Sequence, residues 1–159
     1  MYGAILGDII GSPFEFDRGD KTKNFDLFSK GCGFTDDSVM TIAVGEALLA
    51  VGPKAAVKEI EEAVASNMQA WGSRYPYSGY GASFGRWLRE YRPKPYGSYG
   101  NGSAMRASTA GWLYVCSLDN ILGLIKSMAL CLLKWENDDI ILLLIDYNIL
   151  QSFMTFQKI

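Results

Sequence analysis

The sequence predicts a helical fold built around one central helix that is apolar nearly all round. Three observations carry that expectation. Residues 39–50 are apolar nearly all round, as in a helix at the centre of a bundle. Residues 55–71 repeat apolar side chains at steps of three and four, with charge on the other face. Glycine or proline punctuates these segments where a helix would stop.

The composition sets the limits. With 159 residues, 49% apolar and 20% charged, the chain has the size and make-up of one globular domain with a real core. A net charge of −2 lacks the basic excess of a nucleic-acid-binding surface. Histidine is absent, which removes Ser-His and Cys-His catalysis and His-ligated zinc. Chemistry here must use carboxylates, hydroxyls, backbone amides or a metal. Cys32, Cys116 and Cys131 are odd in number and form no Cys-x-x-Cys pair, so reduced thiols in a cytoplasmic protein are expected. The N-terminus shows no basic region typical of a signal peptide. Neither residues 121–133 nor 140–145 supply the roughly 20 apolar residues of a membrane span.

Taken in order, residues 2–10 are apolar with Gly3 and Gly7 four apart, which lets another helix come close. They read as a short buried helix, ended by Gly11-Ser12-Pro13. Glu15 stands between Phe14 and Phe16. Such an acid is either partly buried with a raised pKa or simply turned outward, and Glu is rarely buried. Residues 18–30 are polar and mixed in charge, a surface loop. The apolar segment 39–50 is stopped by Gly52-Pro53. In the amphipathic helix, Val57, Ile60, Val64, Met68 and Trp71 form the apolar stripe and Gly72 is placed to cap it. Residues 73–81 are a loop by composition, and 83–91 form a short helix carrying Phe84, Trp87 and Leu88 ahead of Pro93 and Pro95. A glycine-rich turn, 96–106, precedes an apolar run, 107–115. Residues 121–133 fit one more helix, and the Ile/Leu run 140–150 fits helix or strand equally.

Two stretches can carry chemistry. In the first, Thr35 precedes Asp36 and Asp37 at the start of the central helix. Thr35 is a natural N-cap, and acids in a first turn are favoured by the helix dipole. The same three residues also offer the hard oxygens that Mg²⁺ or Ca²⁺ takes. In the second, the glycines of 96–106 lead into a helix N-terminus, where several N–H groups can cradle a phosphate and Arg106 can add charge. An ordinary turn explains those glycines as well.

Gly3-Ala4-Ile5-Leu6-Gly7-Asp8, Gly11-Ser12-Pro13 with Glu15, Thr35-Asp36-Asp37-Ser38, and Tyr99-Gly100-Asn101-Gly102-Ser103-Ala104-Met105-Arg106 occur in that order. Together they resemble the ADP-ribosylglycohydrolase family, that of the dinitrogenase-reductase-activating glycohydrolase and the ADP-ribosyl-acceptor hydrolases. The resemblance implies an all-α fold with a binuclear Mg²⁺ or Mn²⁺ centre. It also implies hydrolysis of the glycosidic bond between ADP-ribose and a protein side chain or other acceptor. Carried over, Thr35, Asp36 and Asp37 are metal ligands, and Glu15 is the acid at the scissile ribose or its attacking water. Ser98, Tyr99, Gly100, Asn101 and Gly102 hold the ADP-ribose. A metal that acidifies bound water and a carboxylate acting as acid or base need no histidine.

The chain departs from the family pattern in its last third. The later Asp-x-Asp-Thr metal motif and the His-Pro-Glu-Gly stretch are absent, and Asp138-Asp139 do not replace the former. The expected organisation is therefore a family-like part over 1–118 and a divergent apolar tail over 119–159, as in a truncated member. The alternative function is an inactive member that binds ADP-ribose or a partner chain, and the apolar tail offers a surface for self-association.

Overall fold

The computed structural model describes residues 2–17, 24–98 and 100–113. All regular structure among them is helical, in agreement with an all-α fold. The order is α1 (Tyr2–Gly11), a 3₁₀ segment (Ser12–Asp17), α2 (Asp36–Val51), α3 (Val57–Arg74), α4 (Ala82–Trp87) and α5 (Gly102–Leu113). Among the described residues, no helix is long and apolar enough to cross a membrane. The sequence readings beyond residue 113 lie outside the described residues.

α2 is the centre, packed against α1, α3 and α5. Val39, Met40, Ala43, Val44, Ala47 and Leu48 are buried, while Leu49 of the same apolar segment is 66% exposed, so the helix is central but not covered all round. Gly52 ends it at φ 77°, a left-handed conformation that favours glycine, and its N–H donates to Leu48 O at 3.0 Å. Two polar ties fix α2 on α5: Thr41 Oγ1 donates to Met105 O and Thr109 Oγ1 to Thr41 O, both at 3.1 Å.

α3 buries Ile60, Val64, Met68 and Gly72, a stripe with steps of four, while Lys58 and Glu62 pair in the open at 3.9 Å. Gly72 does not cap this helix. The helix runs on to Arg74, and Gly72 is where Leu88 packs: a Cβ there would lie 2.8 Å from Leu88 Cδ1. Gly72→Ala is expected to cost about 1 kcal/mol, the excess of overpacking over the gain in helix propensity. In a Leu88→Ala background the same change should become stabilising, and urea unfolding of the four proteins checks the reversal.

α1 forms where expected but is not a buried helix. Tyr2 is 86% exposed and Leu6 45%, and Asp8 is the residue it buries. No described atom lies within 4 Å of a Cβ placed on Gly3, Gly7 or Gly11, so no described helix uses the glycine spacing. α4 stops at Trp87, short of position 91, because Trp87 turns inward and its Nε1 donates to Lys94 O at 3.1 Å, folding the chain back. α5 begins at Gly102, inside the glycine-rich stretch, with Met105 N donating to Asn101 O at 3.2 Å. The sequence reading assigns residues 102–106 to the turn.

Candidate active site

The site is built at the N-terminus of α2. Thr35 is extended (φ −118°, ψ −165°), and its hydroxyl accepts from Asp37 N at 3.4 Å, as an N-cap does. The stronger cap comes from another helix. The Asp8 carboxylate of α1 accepts from Thr35 N at 2.8 Å, from Thr35 Oγ1 at 2.6 Å and from Ser38 N at 3.1 Å. It therefore satisfies two backbone donors that the helix start leaves over, and it places a negative charge at the positive end of α2. It also settles the Thr35 hydroxyl. That group gives its one proton to Asp8, so its lone pairs face Asp37 N and whatever occupies the site.

Asp36 and Asp37 follow in the first turn of α2 and are both partly buried. Burial, then the charge of Asp37, with further contributions from Glu15 and Asp8, push the Asp36 carboxyl up to about 6. Burial and the charge of Asp8 raise Asp37 as well, while Arg106 pulls it back. Glu15 is partly buried on the 3₁₀ segment, close enough to Asp36 to act on it. Its side chain thus belongs to the cluster and is not simply turned outward.

The sign of the Asp36 shift has a consequence. A carboxyl with a raised folded-state pKa contributes stability below about pH 4 that is lost as pH rises through about 6. For cation-free protein, the Tm of wild type minus that of Asp36→Asn is expected to fall by a degree or more between pH 4 and pH 7, because solvent screens this half-exposed group. Thermal scans of both proteins across that range check it.

Two loops border the cluster. Gly79, at φ 94°, brings backbone against Asp36: a Cβ there would sit 3.7 Å from Asp36 Oδ1. Its neighbour Tyr80 is partly buried and packs edge-on against Phe84, and burial with the Asp36 charge raises its phenol above the ordinary value. The glycine-rich loop is the second. Gly97 is at φ 67°, and Gly100 N donates to Ser98 Oγ at 3.2 Å. Gly102 lies at the head of α5 against the Arg106 guanidinium, which in turn acts on Asp37. Loop and acid pair are thus joined through Arg106. Tyr99 lies outside the described residues.

Residues 1–131 match the ADP-ribosylglycohydrolase family. The chain belongs to that family. No curated protein and no solved structure matches it. In this ADP-ribosylglycohydrolase family member, every residue of the cluster and of the glycine-rich loop falls within the matched span.

The sequence reading placed Glu15, Thr35, Asp36 and Asp37 at the site, and the structure gathers them. It gave no role to Asp8 and a different one to Arg106. Asp8 stands in the sequence only as the last residue of the first family-like motif, with no role attached, and its partners lie 27 and 30 positions away. Arg106 is expected from the sequence to add charge at a phosphate cradle, and the structure buries it, at 1% exposure.

The donors are the hard oxygens a divalent cation takes: one hydroxyl with its proton already committed, and two partly buried carboxyls, Asp36 raised by burial and the charge of Asp37, and Asp37 raised by burial and the charge of Asp8. Asp8 is engaged by α2, and among the described residues no three acidic or thiol side chains come together closely enough to hold a metal ion.

Proposed function

We propose that the chain hydrolyses the glycosidic bond between ADP-ribose and a protein side chain or another acceptor, with Mg²⁺ or Mn²⁺ at the N-terminus of α2. The observation that supports this best is the convergence of Glu15, Asp36 and Asp37 on that one helix end, beside the loop led by Gly102. Thr35, Asp36 and Asp37 would hold the cation, which supplies acidified water and fixes ribose hydroxyls when bound. Glu15 serves as the acid or base at the ribose, taking a proton from the attacking water or giving one to the leaving acceptor. Ser98, Gly100, Asn101 and Gly102, with Tyr99, receive the diphosphate and its ribose. The amides of a glycine-rich turn before a helix suit that anion.

The test is calorimetric titration with ADP-ribose, with and without Mg²⁺, on wild type and on the Asp36→Ala/Asp37→Ala variant. Mg²⁺-dependent binding that the variant loses, together with release of ADP-ribose from an ADP-ribosylated peptide, is the expected result. A second reading is a member that binds ADP-ribose without turning it over. It rests on Asp36 and Asp37 being joined, among the described residues, by no third acid close enough to hold a metal ion with them. Binding that is indifferent to Mg²⁺, with no release, would select this second reading.

A further inference from the structure

Arg106 is the largest fully buried side chain of the described residues, at 1% exposure, and a guanidinium does not lose its charge. Its side chain turns back along α5 to the residue one turn earlier. A Cβ on Gly102 would lie 3.0 Å from Nη1, 3.2 Å from Nη2 and 3.5 Å from Cζ. On another side Cζ stands 5.7 Å from the centre of the Phe84 ring, on α4. The ties from Thr41 to Met105 and Thr109 set this turn of α5 against α2, and Asp37 is one turn before Thr41 on the same face. A buried cation requires a compensating charge. Its attraction to Asp37 is also what pulls that carboxyl back down.

We propose that Arg106 is a positioning residue that braces Asp37 from inside the domain and requires glycine at position 102. It couples the two halves of the site: a change at the head of the glycine-rich loop moves the guanidinium, and the guanidinium moves an acid of the pair. The contacts stand without the proposed activity, but the consequence for ligand binding rests on that reading.

Two double-mutant cycles, read by urea unfolding, test the brace itself. Gly102→Ala should lower the folding constant on the order of tenfold when Arg106 is present. In an Arg106→Met background it should be neutral or favourable, because alanine is the better helix former. Asp37→Asn should likewise couple to Arg106→Met by several-fold. If Arg106→Met does not fold, both cycles are run with Arg106→Lys, which keeps the charge but not the planar contact. A third measurement separates positioning from plain stability: Mn²⁺ titration at a temperature where every variant is folded. Gly102→Ala should weaken Mn²⁺ binding several-fold although it adds only a methyl group, and Arg106→Lys should retain more affinity than Arg106→Met. Equal effects of Gly102→Ala in both backgrounds, or no coupling between Arg106 and Asp37, would overturn the proposal. A wild type that binds no Mn²⁺ but shows both couplings would instead remove the metal-dependent activity and leave the brace standing.

Discussion

Glu15→Gln is expected to lower the turnover of an ADP-ribosylated substrate by about 10²–10⁴-fold, the range for loss of a general acid or base. The amide keeps the shape of the side chain and loses its negative charge and its capacity to take up or give the proton. Tm should therefore stay within a few degrees of wild type. It should rise if anything, because Glu15 is one of the charges that crowd Asp36. Single-turnover release of ADP-ribose separates this from a binding defect. If Glu15 carries the proton, the chemical step slows while the Kd for ADP-ribose holds. A loss confined to Kd would assign Glu15 to ligand binding.

Asp8→Ala is expected to cost roughly 3 kcal/mol, since hydrogen bonds to a charged group contribute about 1.5–3 kcal/mol each and stranded buried donors add to the loss. Thr35 N, Thr35 Oγ1 and Ser38 N all lose their acceptor at once. Against a typical total of about 5–15 kcal/mol this is a large fraction. Asp8→Asn should recover part of it, because the amide oxygen still accepts while its NH₂ faces donors. Denaturant unfolding gives the ranking wild type, Asp8→Asn, Asp8→Ala. Equal stability of all three would mean that α2 does not depend on its cap. The Thr35 hydroxyl, released from Asp8, should also turn freely, so Mg²⁺ affinity should fall further than stability alone requires.

The elements that could be read from the sequence were those with a local cause. Residues 39–50 had to be central because no face of that helix is polar, and Ile60, Val64 and Met68 had to be buried because they share one face. Thr35 had to cap because it precedes two acids at the head of an apolar segment. What was misread depended on partners far along the chain. Gly72 looked like a stop signal, but it is small because Leu88, 16 positions later, fills the space beside it. Gly3 and Gly7 looked like a helix contact, yet their flanks meet nothing described. Asp8 had no role legible in the sequence beyond its place in a motif, and it holds another helix's start. At the site, residue types pointed to Thr35, Asp36 and Asp37, while the means of orienting them, Asp8 and Arg106, emerged only with the packing of α1 and α5 on α2.

α1 gives the protein a built-in weak point. It has ten residues, and at Gly3, Gly7 and Gly11 it carries glycine, each about 0.5–1 kcal/mol worse than alanine within a helix. A segment that short does not hold itself in water, and it buries little besides one carboxylate. Its amides should exchange with solvent through a local opening far cheaper than global unfolding, while those of α2 and α3 wait for the whole domain. Each such opening withdraws Asp8 from Thr35 and Ser38. The acid pair is then alternately capped and uncapped on the timescale of α1's fraying, and a cation or nucleotide that favours the capped state would register first as slowed exchange in α1.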